Sequence, residues 1–104
     1  MSYIRDDFAA AWIAEYYDLD LSQVASVLLV EFEYMVATGI AVKPPEARDW
    51  QFRYYTPREL DQAPASIDTL RIARDAERLA GVPVAVGLRV LEGELEFLHR
   101  HGVA

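Results

Sequence analysis

The chain has 104 residues, 53% hydrophobic and 26% charged, which is enough apolar matter for one core and too mixed a pattern for a disordered chain. It has no cysteine, which excludes disulfide scaffolds, thiol nucleophiles and cysteine zinc sites. The net charge is −7 and sits at the front: residues 1–40 hold Arg5 against Asp6, Asp7, Glu15, Asp18, Asp20, Glu31 and Glu33, a balance of −6. Such a segment repels a phosphate backbone and attracts a basic protein surface.

No apolar run approaches the roughly 18 residues of a membrane span. The start, Met1 to Asp7, carries an acidic pair where a secretory signal has a basic region, so the expected location is cytoplasmic.

Phe8 to Tyr17 reads as a first helix, with Phe8, Trp12, Ile13 and Tyr16 at helical spacing among helix-favouring alanines. Asp18 to Ser22 interrupts it. Asp20 followed by Gln23 is a capping-box pattern, so a second helix is expected from about Leu21. It runs through Val24, Leu28, Phe32 and Met35 and stops at Gly39, a natural left-handed residue. Its apolar run Val27–Val30 predicts cover on more than one side.

Pro44 and Pro45 then break any helix. Trp50 to Tyr55 alternates as a strand, and a short strand at 40–43 pairs with it as a hairpin. Thr56-Pro57-Arg58-Glu59 is a capped helix start. Ser66 is the expected cap of a further helix over about 67–80, with Leu70, Ala73 and Leu79 turned inward and Gly81 ending it. Pro83 opens a last helix to about Arg100. There Val84, Leu88, Leu91, Leu95 and Leu98 are spaced 4, 3, 4, 3, a heptad seam that predicts a homodimer.

The order is helix, turn, helix, two-stranded wing, capped turn, helix, terminal helix. It resembles the MerR-like winged-helix group, most closely over 38–102. The residues that carry the likeness are Gly39-Ile40-Ala41-Val42, then Arg53-Tyr54-Tyr55-Thr56-Pro57-Arg58-Glu59-Leu60, then the helix pair split by Gly81. Within that group the Arg-rich stretch 68–79 and the stretch ending at Leu98 are similar to CbpM-type chaperone modulators. The second helix, Ser22 to Thr38, is longer than that family's recognition helix. The resemblance implies a mainly α, single winged-helix domain: helix-turn-helix over about 8–39, wing over about 40–55, C-terminal helices over about 56–101. It implies a regulator without an effector domain that binds and restrains the J-domain of a DnaJ-like co-chaperone.

Charge selects the expected contact residues: Asp18, Asp20, Glu31 and Glu33, with Tyr16 and Tyr17 as apolar anchors. The groove-entering part of a DNA-reading helix needs Arg, Lys, Asn or Gln, and between Asp18 and Gly39 Gln23 is the only such residue, which argues against that role. An alternative is a MerR-like transcription regulator whose wing places Arg48, Arg53 and Arg58 on phosphates, and another is a phage- or plasmid-type adaptor on the same fold. Arg71, Arg74 and Arg78 read as a solvated face balanced by Asp68, Asp75 and Glu77. No nucleophile–base–orienter set or phosphate-cradling glycine loop is visible, so a non-enzyme without cofactor is expected. His99 and His101, two apart on a helix, do not share a face, so no metal site is expected either.

Overall fold

The computed structural model describes residues 6–39 and 68–100, which form four helices. They are α1 (Asp6–Tyr16), α2 (Leu21–Ala37), α3 (Thr69–Ala80) and α4 (Val84–Arg100). The described residues are therefore mainly helical. The two wing strands, the capped turn at Thr56, Arg48, Arg53, Arg58 and His101 lie outside the described residues.

α1 meets the core through small residues. Ala9, Ala10 and Ile13 are buried, while Phe8 and Tyr16 are exposed. Its end is a Schellman turn with aspartate at the left-handed position: Asp18 has φ 54. The Leu19 N–H reaches the Ala14 carbonyl at 2.9 Å and the Asp18 N–H the Glu15 carbonyl at 3.4 Å. Asp20 then caps α2, its Oδ1 accepting from the Ser22 N–H at 2.9 Å and the Gln23 N–H at 3.1 Å. The expected start at Leu21 is where α2 begins.

The inward face of α2 is Val24, Val27, Leu28, Glu31, Phe32 and Met35, recurring at three and four residues. Thr38 ends the helix, and Gly39 follows at φ 80. α3 starts at Thr69, with Asp68 rather than Ser66 as its cap: the Asp68 carboxylate accepts from the Arg71 N–H at 3.1 Å. Ser66 and Ile67 lie outside the described residues.

The inward face of α3 also differs from the expected one. Ile72, Ala73 and Ala76 are buried, whereas Leu70 and Leu79 are exposed. Nine residues at about 100° each place those two leucines on opposite sides of the helix, so they cannot share a core face with Ala73. The small residues serve close approach. A Cβ added at Gly87 of α4 would stand 3.2 Å from both Cα and Cβ of Ala73.

Gly81, at φ 69, reverses the chain between α3 and α4. Val82 is folded back with its N–H 3.4 Å from the Ala76 carbonyl, and its side chain joins the core. Pro83 stands just before α4 and its carbonyl accepts from the Gly87 N–H at 3.0 Å.

α2 and α4 each pack against all three other helices. One cluster draws Ala10 and Ile13 from α1, Val24, Val27 and Leu28 from α2, Ile72 and Ala76 from α3, and Val90 and Leu91 from α4. A smaller one joins Ala9 to Phe97 and Leu98, with Trp12 against it.

The heptad seam of α4 is divided between core and surface, which corrects its reading as one interface. Leu91 and Leu98 are only 6% and 7% exposed, whereas Leu88 and Leu95 are 38% and 49% exposed; Val84 is half-buried. Successive positions turn by about 100°, so the Leu88/Leu95 row lies about 50° around the helix from the Leu91/Leu98 row. One row fills this chain's own core, and only the other is left to meet a neighbour.

Candidate functional site

The α1–α2 turn and the adjoining side of α4 form an acidic surface around two tyrosines. Tyr16 closes α1 and is 53% exposed. Its ring stacks on Trp12, with centroids 4.6 Å apart and planes 10° apart. Trp12 in turn tilts against Phe97 of α4 at 5.6 Å. That chain of rings ties the outer aromatic to the core and keeps it from collapsing elsewhere.

Tyr17 is half-buried and lies across α4 where α4 has no side chain. A Cβ at Gly93 would stand 2.9 Å from Tyr17 Cε2 and 3.0 Å from Ile13 Cγ2. Glycine at 93 therefore lets α1 seat its last turn directly on the α4 backbone. The Tyr17 phenol titrates above the ordinary tyrosine range, first because burial disfavours its anion and then because Glu92 and Glu96 oppose it. The Arg89 guanidinium, 5.2 Å from the Tyr17 ring centroid, acts the other way.

α4 thus contributes Arg89, Glu92, Glu96 and Arg100 to this surface. Arg100 donates from Nε to Glu96 Oε1 at 2.6 Å and from Nη2 to the Tyr16 hydroxyl at 2.9 Å. These four residues are absent from the sequence-based set, although a signal existed. They recur at three, seven and eleven residues from Arg89, which is one side of a helix.

Of the six residues expected to meet a partner, Tyr16, Tyr17, Asp18 and Asp20 are together. Asp18 and Asp20 are exposed, as is Glu15 beside them. Hydrogen bonds from the Ser22 hydroxyl, then from the Gln23 and Ser22 amides, hold the Asp20 carboxyl below the ordinary aspartate range. Asp20 is charged at neutral pH while it caps α2.

Glu31 does not belong to this surface. It is 2% exposed on the inward face of α2, so it is not available to a docking protein. The segment charge counted it as surface because charge alone does not distinguish the two sides of a helix. Glu94 of α4 is likewise buried.

Glu33 is exposed but belongs elsewhere. It lines an open groove of ≈ 420 Å³ between α2 and α3, together with Leu29, Val30, Tyr34, Asp75 and Leu79. Arg71 lies over the Tyr34 ring there, 5.7 Å from its centroid. Arg78 of α3 pairs with Asp75 at 3.4 Å, and Arg74 is exposed. Among the described residues no group of three or more His, Asp or Glu is placed to hold a metal ion. No helix among them is long and apolar enough to cross a membrane.

Compared with protein families, with curated proteins and with solved structures, the chain finds no match.

Proposed function

We propose that this chain is a non-enzymatic, protein-binding regulator. It acts in the cytoplasm as a MerR-like winged-helix domain with a two-stranded wing over about 40–55. Its acidic tyrosine surface docks on a basic helix of a DnaJ-like co-chaperone's J-domain and restrains it. The observation that carries this reading is the exposed Tyr16 ring with Glu15, Asp18 and Asp20 beside it in the chain and Glu96 across from it on α4. An apolar anchor rimmed by carboxylates suits a cationic protein face, where the anchor holds and the charges steer. The J-domain as partner rests on the sequence resemblance. A homodimer through the outward Leu88/Leu95 row is part of the same proposal.

The test is a double variant, Asp18→Asn with Asp20→Asn. Asparagine tolerates the left-handed turn and caps a helix as well as aspartate does, so charge changes while fold is kept. Binding to a cognate J-domain is expected to weaken about fivefold at low salt, with a shallower salt dependence. Unchanged affinity and unchanged salt dependence would discard this surface. A sequence-dependent DNA shift at low salt would instead favour the wing-arginine alternative, through Arg48, Arg53 and Arg58.

A further inference from the structure

We propose that the Tyr16 ring is a guanidinium-recognition site, selective for arginine over lysine on the partner, and that this chain's own Arg100 is its resident competitor. This rests on the docking reading above and supplies the chemistry of that surface.

The Arg100 guanidinium carbon lies 5.0 Å from the Tyr16 ring centroid. The same group donates to the Tyr16 hydroxyl at 2.9 Å and to Glu96 Oε1 at 2.6 Å. An aromatic face, a neutral acceptor and a carboxylate therefore converge on one planar cation. That set distinguishes guanidinium from ammonium. A guanidinium stacks flat and donates in two fixed directions at once, whereas an ammonium is a compact, strongly hydrated point charge. The platform is prearranged, because Trp12 backs the Tyr16 ring at 4.6 Å. A second arginine–tyrosine pair stands beside it, Arg89 lying 5.2 Å from the centroid of Tyr17.

The resident is easy to displace. Arg100 is on the last turn of α4, its side chain is 51% exposed and its Glu96 partner 40% exposed. Exposed pairs of this kind are weakly held in water and exchange readily. An arginine from a partner, drawn in by the surrounding carboxylates, takes the Tyr16 face and releases Arg100 to solvent. Lysine gains only the charge.

Calorimetric titration with an oligo-arginine peptide and an oligo-lysine peptide of equal length tests this on three proteins: wild type, Arg100→Ala and Tyr16→Ala. Both substitutions are at exposed positions. Removing Arg100 adds net negative charge and tightens both peptides, so the arginine-to-lysine affinity ratio is the deciding quantity. The ratio is expected to rise about two- to fivefold in Arg100→Ala and to fall to near one in Tyr16→Ala. A ratio that does not rise in Arg100→Ala, or that survives in Tyr16→Ala, overturns the proposal. Binding of a J-domain with an unresponsive ratio keeps the function and discards the arginine site. A responsive ratio without J-domain binding does the reverse.

Discussion

Replacing Gly93 by alanine tests how α1 is seated on α4. The added Cβ would stand 2.9 Å from Tyr17 Cε2, 3.0 Å from Ile13 Cγ2 and 3.1 Å from Tyr17 Cδ2. Carbon atoms rest at about 3.5–4.0 Å, so three contacts are each too short by about 0.5–1 Å. Neither neighbour yields easily. Ile13 is fully buried, and the Tyr17 ring lies beneath the Arg89 guanidinium. Overpacking of this kind costs about 1–3 kcal/mol. Against it, alanine in a helix interior is better than glycine by about 0.8–1 kcal/mol. The net expectation is a loss of up to about 2 kcal/mol, read as a lower urea midpoint at unchanged slope. In a thermal scan each kcal/mol should lower Tm by roughly 4–8 °C. In a Tyr17→Ala background the same substitution should cost at least about 0.5 kcal/mol less, because two of the three clashes are gone. A gain of about 1 kcal/mol for Gly93→Ala alone, the propensity term without a clash, would refute the close contact.

Three further outcomes are expected. Asp18→Gly should be more stable than Asp18→Ala by about 1 kcal/mol, because glycine, unlike alanine, occupies φ 54 without strain; equal urea midpoints would place Asp18 in another conformation. The Tyr17 phenol holds its proton more tightly when folded, because of burial and then Glu92 and Glu96. Its contribution is therefore complete below about pH 10 and lost as pH rises through the folded-state pKa. Alkaline urea titrations should show that loss in the wild type and a smaller one in Tyr17→Phe, and identical slopes would sink the assignment. Leu88→Glu with Leu95→Glu should convert a dimer to a folded monomer by light scattering, whereas Leu91→Glu should unfold the chain. A wild type already monomeric at high micromolar concentration would leave the outward row to some other contact.

Much of the helical layout was legible because its signals are local. The aspartate at 20, glycines at 39 and 81 and the three-and-four spacing of α2 each act within a few residues, and the structure uses each as the sequence implies. Errors appear where the answer depends on which side of a helix meets which neighbour. The heptad leucines of α4 satisfy one pattern, yet half of them serve the core. Leu70 and Leu79 are large and apolar, yet Ala73 and Ala76 take the inward face, where Gly87 brings the α4 backbone close. Bulk is a poor guide where two backbones nearly touch.

The candidate site divides in the same way. Sequence alone determined a cysteine-free chain with its acids gathered at the front and tyrosines at the first turn, since composition and order along the chain are enough for that. Only the packed structure decided that Glu31 is inside, that Glu33 faces a different groove, and that Arg89, Glu92, Glu96 and Arg100 join Tyr16 and Tyr17. Charge is a property of each residue, but a surface is a property of how helices cross. α1 and α4, more than sixty residues apart in the chain, meet where Gly93 leaves room for a tyrosine ring.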